Sequence, residues 1–347
     1  MSSVGVREGL VIGVDIGGTK VAAGLVDPSG EILCHNRNAM KSDGTAANGL
    51  ASVTKAIETA SAQAIATAGS HNLIHGVGIC SPGPLDPNTG VVINPPNLPC
   101  WRNFPLASEV ARLYRVQVKV DNDANAAGLA ETLWGAAHGY QNVFFVTLGT
   151  GIGTAILIGG RIYHGRTGAA AEGGHMSIDY QGPQCGCGKR GCIEVFASGP
   201  AIARRARGKL ASGRNSILLE LAGGDAEQVT SPMVGQALET GDAVAKEVVN
   251  ETIELLSHWF GNIVDLLEPD VMVVGGGVAS MLKPYFGEIQ DRLPSCCVNQ
   301  RCREIPLLPA RYGEDAGIAG GAALCFGIEP DGNGARAAAL ERVGRPQ

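Results

Sequence analysis

A device that occurs twice restricts the fold more than any other feature of this chain. Near the N-terminus the run VIGVDI (Val11–Ile16) meets Gly17-Gly18 and returns as KVAAGLV (Lys20–Val26). Much later NVFFVTLG (Asn142–Gly149) meets a Gly149-Thr150-Gly151 tip and returns as GTAILIGG (Gly153–Gly160). Short apolar, β-branched runs bounded by glycine read as buried strands, so each unit is a glycine-tipped hairpin. The first continues through Asp27-Pro28-Ser29-Gly30 into EILCHNR (Glu31–Arg37), the second into a short RIYH strand (Arg161–His164). Two such hairpins far apart in one chain predict two related α/β domains facing each other. Glycine makes up 50 of 347 residues, about twice the usual share. With 45% hydrophobic residues between the glycines, collagen-like and disordered readings fail. The glycines must therefore act locally, in turns, close backbone approaches or anion-binding loops.

Between and after the hairpins the periodicity predicts a helix through Leu50, Val53, Ile57, Ala60, Ala64 and Ile65, ending near Gly69, and then a buried strand over Leu73–Cys80. A Pro/Gly/Asn-rich loop runs to Arg102, followed by a helix and the strand VQVKVD. Val248, Thr252, Leu255, Trp259 and Ile263 mark a long helix over Glu247–Leu267, leading into DVMVV and the run Gly275-Gly276-Gly277. A Gly/Ala-rich helix of about Asp315–Phe326 is suited to close packing. The last twenty residues, with Pro330, Gly332 and Gly334, are expected to be weakly ordered.

Twenty-seven Lys and Arg against 33 Asp and Glu give a net charge of −6, which offers no global attraction for nucleic acid or an anionic membrane. Small-molecule partners are expected. Met1–Gly9 lacks the apolar core of a signal peptide, and the uncharged stretch Thr132–Gly160 is too polar and glycine-broken to span a bilayer. A cytoplasmic protein is the expectation. Of the ten cysteines, three crowd into Cys185–Cys192, a density that reads as metal binding rather than disulfides in a chain of this length.

The first tip, Asp15-Ile16-Gly17-Gly18-Thr19-Lys20, offers unshielded backbone N–H groups to a polyphosphate, a hydroxyl and a cation from Thr19 and Lys20, and in Asp15 a carboxylate suited to a hydrated Mg²⁺. A plain type I′ hairpin explains Gly-Gly as well. The second tip, with Thr150 and Gly151, carries the same two readings, and a nucleotide held between two domains needs a cradle from each. Gly275 and Gly276 either admit an adenosine to the backbone or form a tight strand-to-helix turn.

VKVDNDANAAGLAE puts Asp121, Asn122 and Asp123 where a strand ends and a helix begins. Helix capping is one explanation. The other is a carboxylate at the carboxyl end of a strand, where α/β folds bind ligands, accepting a proton from an alcohol that attacks phosphorus, with Asp123 as base and Asn122 as substrate contact. Downstream, His175, Cys185, Cys187 and Cys192 supply one nitrogen and three sulfurs within eighteen residues, the ligand set of a closed, structural Zn²⁺ site. Free buried cysteines are the competing reading. Glu172 and Glu194 flank the cluster, either held for sugar hydroxyls or merely solvated at the surface.

DIGGTK (Asp15–Lys20), SPGP (Ser81–Pro84), PNL (Pro96–Leu98), DNDAN (Asp121–Asn125), LGTGIG (Leu148–Gly153), EGGH (Glu172–His175) and CGCGKRGCIE (Cys185–Glu194) resemble, in order and spacing, the ROK family of bacterial sugar kinases and repressors. The resemblance runs from about Leu10 to Phe326. It implies a two-domain α/β actin-like ATPase (ribonuclease H-like) fold with an interdomain cleft where ATP and sugar meet. The smaller domain would hold residues 1–121 plus about 315–347, and the larger 122–314. It implies Asp123 as catalytic base; Gly83, Asn97, Asn122, Glu172, His175 and Glu194 as sugar contacts; and Asp15, Gly18, Thr19, Lys20 and Gly151 as ATP and Mg²⁺ contacts. His175 would serve both zinc and sugar. With nine residues before the first strand, the helix-turn-helix domain of the family's repressors is not expected. Thr154 departs from the glycine or alanine of close relatives, where it could alter nucleotide approach. The expected reaction is transfer of the γ-phosphoryl of MgATP to the 6-hydroxyl of a hexose, D-glucose leading. An N-acetylmannosamine or N-acetylglucosamine kinase is the alternative, followed by a sugar-binding regulator without turnover. The resemblance suggests a homodimer or homotetramer.

Overall fold

The computed structural model describes residues 9–68 and 74–326, with the backbone alone at 64–68. β1 (Leu10–Ile16), β2 (Lys20–Val26) and β3 (Ile32–Ala39) form an antiparallel meander, then α1 (Ala46–Ala68) crosses to β4 (Ile74–Ser81). A two-stranded ribbon, β5 (Leu85–Asp86) and β6 (Val91–Val92), and α2 (Leu106–Tyr114) precede β7 (Gln117–Asn122). The first sheet has the order β3-β2-β1-β4-β7, with β4 parallel to β1 and β7 parallel to β4. After α3 (Asp123–Leu133) the plan recurs. β8 (Val143–Leu148), β9 (Ile152–Ile158) and β10 (Arg161–Ile162) form the second meander.

A helical insertion follows: α4 (Glu194–Ala197), α5 (Gly199–Ala211), α6 (Leu218–Leu221), α7 (Ser231–Glu239) and α8 (Ala243–Leu267). Then come β11 (Val271–Gly275), α9 (Gly277–Leu282), α10 (Phe286–Arg292), β12 (Leu307–Pro309) and α11 (Ala316–Phe326). The second sheet reads β10-β9-β8-β11-β12, the strand-for-strand counterpart of the first. The doubled hairpin is thus the visible part of a doubled sheet. α8 begins at Ala243, four residues before the periodicity placed it, because Asp242 caps it by accepting from Ala245 N at 2.9 Å. Ala64, Ile65, Gly69, Leu73 and the expected weakly ordered tail lie outside the described side chains or residues.

Each sheet has its own core. Val53 and Ile57 of α1 pack with Trp101, Leu106 and Val110 on the first. Val248, Ile253, Leu256, Trp259 and Phe260 of α8 fill the second. A third cluster joins Leu129 and Ala130 of α3, Phe145 of β8 and Ala319 and Ala323 of α11, so the α3–α11 pair links the two sheets. That linkage depends on missing side chains: a Cβ at Gly78 of β4 would stand 1.7 Å from the Gly321 carbonyl oxygen of α11. The Gly/Ala composition of the last helix follows from that backbone-to-backbone contact. Glu131, 1% exposed, fastens the same region: Oε1 accepts from Arg311 N at 2.7 Å and Tyr312 N at 3.1 Å, and Oε2 from Ala136 N at 2.7 Å. Among the described residues no helix is long and apolar enough to cross a membrane.

Candidate active site

The first tip is not a type I′ turn, since neither Gly17 nor Gly18 has positive φ. Its glycines serve close approach instead: a Cβ on Gly18 would lie 3.0 Å from the Asn97 carbonyl oxygen. Asn97 is therefore packed onto the hairpin, and the Thr19 and Lys20 side chains beside it are exposed. Asp15, at the end of β1, is half-buried. Desolvation raises its carboxyl, opposed by a hydrogen bond from Cys80 and by the Arg37 guanidinium. Cys80 stands opposite Asp15 in the parallel register, wholly buried, with Sγ 3.5 Å from Asp15 Oδ1 and 3.1 Å from the Gly317 carbonyl oxygen. Burial, then the Asp15 and Asp123 carboxylates, hold that thiol far above its usual range.

Asn122 is the N-cap of α3, its Oδ1 accepting from Ala124 N at 2.9 Å and Asn125 N at 3.4 Å. The capping explanation thus belongs to Asn122, and Asp123 is left at the first helical position with its side chain exposed. The Asn122 amide nitrogen faces Gly83, 3.8 Å from where a Cβ there would stand, and the Gly83–Pro84 peptide is cis. Although solvent reaches Asp123, dense protein surroundings desolvate it and raise its carboxyl to about 6, with the Asp15 and Glu172 carboxylates adding to the rise. Asp15, Asp123 and the exposed Glu172 therefore share one electrostatic neighbourhood.

His175 closes a short 3₁₀ turn, Gly173–His175. Its ring nitrogen and the sulfurs of Cys185, Cys187 and Cys192 all lie within 4.8 Å of one another. Cys187 Sγ is 3.7 Å from Cys192 Sγ, and Cys185 Sγ is 3.7 Å from His175 Nδ1. A tetrahedron with Zn–S bonds of about 2.3 Å has S···S edges of about 3.8 Å and S···N edges slightly shorter, so the donor set fits that ion. With Nδ1 on this side, Nε2 is the ring nitrogen left for a second contact. Glu194, at the start of α4, is shared: Oε2 accepts from Ile152 N at 2.9 Å, and Oε1 is 3.9 Å from His175 Nδ1. A Cβ on Gly151 would stand 2.7 Å from Glu194 Oε2. The second hairpin tip is thus fastened to the Cys/His cluster through Glu194.

The other side of that tip opens on two cavities. One, of about 800 Å³, is lined by Gly149, Thr150, Gly199, Ser231, Gly277 and Tyr285 among others. The second, of about 520 Å³, has Thr147, Gly149, Gly275, Gly276, Gly277 and Lys283 in its wall. Gly275–Gly277 is a strand-to-helix turn that also faces both cavities through Gly277. Gly276 has φ +91°, and a Cβ there would lie 2.3 Å from the Leu148 carbonyl oxygen.

The family model for the ROK family matches residues 11–327. This chain belongs to the ROK family. It is 34% identical over 326 residues to a glucokinase of Streptomyces coelicolor, covering 93% of this chain and 99% of the relative. It is 32% identical over 314 residues to a glucokinase of Thermotoga maritima, covering 90% and 96%. Among solved structures it is similar to a ROK family glucokinase from Streptomyces griseus in complex with glucose and AMPPNP, at a TM-score of 0.77 and 35% identity, covering 91% of this chain and 99% of that one. The two α/β sheets are those of the two-domain actin-like ATPase fold of ROK sugar kinases.

Within this ROK site, several residues do work that the motifs did not reveal. Asp121, 4% exposed, binds the Asn122 N–H at 2.7 Å and Asn125 Nδ2 at 3.1 Å through Oδ1, while Oδ2 meets His164 Nε2 at 2.6 Å. His164, whose pKa that hydrogen bond raises, thus braces the turn that carries Asp123. The sequence read it only as the last residue of the short RIYH strand, which in the structure ends at Ile162. Thr154, expected to influence nucleotide approach, is buried, with its hydroxyl turned to the segment carrying Glu172.

Proposed function

We propose that the chain is an ATP-dependent hexose kinase that transfers the γ-phosphoryl group of MgATP to the 6-hydroxyl of D-glucose. The observation that carries this reading is the place of Asp123, at the start of α3 beside the N-cap Asn122, with its carboxyl raised to about 6 by desolvation and by the Asp15 and Glu172 carboxylates, in a chain 35% identical to a solved glucokinase holding glucose and AMPPNP. A carboxylate of that basicity is mostly ionised at neutral pH and still strong enough to take a hydroxyl proton as the oxygen attacks phosphorus. Because phosphoryl transfer has a loose transition state, alignment and charge neutralisation supply most of the rate.

The sugar would lie against Gly83, Asn97, Asn122, Glu172, His175 and Glu194. Asn122 offers its amide N–H groups, because its oxygen is committed to the helix cap. Asp15, Gly18, Thr19 and Lys20 would take the phosphates from one side and Thr150 and Gly151 from the other. Asp15 would hold Mg²⁺: a carboxylate destabilised by burial gains most from a neighbouring cation. Mg²⁺ would neutralise charge on the transferring group. The cavities beside Gly275–Gly277 have room for adenosine. His175, Cys185, Cys187 and Cys192 would hold a structural Zn²⁺ that fixes Glu194 and His175 relative to the second tip. The lobes would divide as 1–121 with 315–347, and 122–314.

The test is ATP-dependent ADP release with glucose, mannose, fructose, N-acetylglucosamine and N-acetylmannosamine. Glucose should have the highest kcat/KM. Preference for an N-acetylhexosamine would move the substrate class, and turnover of none would overturn the kinase reading.

A further inference from the structure

We propose that Thr154 is a positioning residue that sets Glu172 for the sugar through the backbone on both sides of it. The inference rests on the assignment of Glu172 as a sugar contact. Thr154 lies on β9, paired with Val146 of β8 inside the second sheet, and is 5% exposed. Its Oγ1–H donates to the Ala171 carbonyl oxygen at 2.5 Å, and Oγ1 accepts from Gly173 N at 2.8 Å. One hydroxyl therefore grips the residue before Glu172 and the residue after it, using both its donor and an acceptor lone pair.

The segment needs such a grip. Ala171 has φ +63°, a left-handed conformation that costs a residue with a Cβ and persists only where surroundings impose it. Gly173 is buried, and a Cβ there would stand 2.8 Å from Thr154 Oγ1, so nothing larger than glycine fits against the clamp. Trp259 Nε1 of α8 donates to the Gly173 carbonyl oxygen at 3.2 Å, holding the far side of the same residue. Between these fixed points Glu172 is the exposed member. Its side chain leaves a backbone whose preceding carbonyl and following amide are tied to a rigid strand. The backbone that carries this carboxylate is thus fixed before sugar arrives, which saves ordering entropy on binding.

The second tip is held independently of Thr154, by the Ile152 N–H bonded to Glu194, so the two substrates separate the effects. Thr154→Val keeps the shape and removes the hydroxyl, leaving the Ala171 carbonyl and Gly173 amide without their partner. Its KM for glucose should rise by about tenfold or more, with KM for ATP within about twofold of wild type. In the ligand-free protein, deuterium exchange over 171–175 should quicken. Thr154→Ser keeps the clamp and should stay within about threefold of wild type for glucose. An unchanged glucose KM or unchanged exchange in Thr154→Val would overturn the proposal. So would a tenfold glucose KM rise in Thr154→Ser, even if the valine variant does not fold. Wild-type protein that phosphorylates no sugar would instead sink the kinase assignment, while the exchange comparison still decides the clamp.

Discussion

Replacing Asp123 by asparagine removes a proton acceptor while disturbing little else. The amide oxygen of Asn can still accept from Ala124 N, which Asp123 Oδ1 meets at 2.8 Å, and Asn122 continues to cap α3. The helix start survives and the lost quantity is basicity. General-base assistance contributes about 10²–10⁴-fold, so kcat should fall by that much while glucose affinity measured by calorimetry changes little. The wild-type pH profile gives a second number. With the carboxyl at about 6, about 97% is ionised at pH 7.5 and about 9% at pH 5, so kcat/KM should drop about tenfold across that interval, with a unit slope below pH 6. A coupled dehydrogenase assay for sugar phosphate from pH 5 to 8 reads both. Asp123→Asn with turnover within about threefold of wild type, or with the same acidic limb as wild type, would refute the reasoning.

The same shift has a stability consequence. Because desolvation by its surroundings raises the folded carboxyl from 3.8 to about 6, the folded state binds more protons than the unfolded chain between those values, and stability falls as pH rises through them. Thermal melts should therefore find Asp123→Asn more stable than wild type at pH 7.5, with the difference shrinking as pH falls from 6 to 4; a constant difference would contradict the raised value. Gly276→Ala must accept φ +91° and a methyl 2.3 Å from the Leu148 carbonyl oxygen, whereas Gly277→Ala meets nothing within 4 Å. The first should cost about 1–3 kcal/mol by urea unfolding, and the second should leave stability near wild type; equal stabilities would contradict the strain at Gly276. Elemental analysis should find about one zinc per chain, Cys185→Ser should lose most of it, and less than half a zinc in wild type would contradict a filled four-ligand site.

Features built from neighbours in sequence were legible without the structure. The paired hairpins declared themselves because apolar β-branched runs and their glycine tips are contiguous. The Cys/His cluster did so because three of its four donors fall within Cys185–Cys192. Local ambiguity at Asp121–Asp123 dissolved once Asn122 proved to be the cap. Partnerships set by strand register or loop path were hidden. Cys80 meets Asp15 only because β4 pairs parallel to β1 in that register. His164 reaches Asp121 across 43 positions. Thr154 looked like a nucleotide neighbour because it follows the second tip. The alternation of β9 turns it instead toward the Glu172 segment, whose path no periodicity encodes. The type I′ turn that competed with the phosphate-loop reading of the first tip is excluded by the φ values of its glycines, which sequence alone could not supply because Gly-Gly is equally apt for close approach to Asn97.

The central claim is that these residues direct the γ-phosphoryl group of ATP to one hydroxyl of glucose. Phosphorus–proton correlation NMR of the product formed by the purified protein from glucose and MgATP tests it most directly. Glucose 6-phosphate, formed by wild type and at least a hundredfold more slowly by Asp123→Asn, is the predicted result. Phosphate on another hydroxyl, or no sugar phosphate at all, would contradict it.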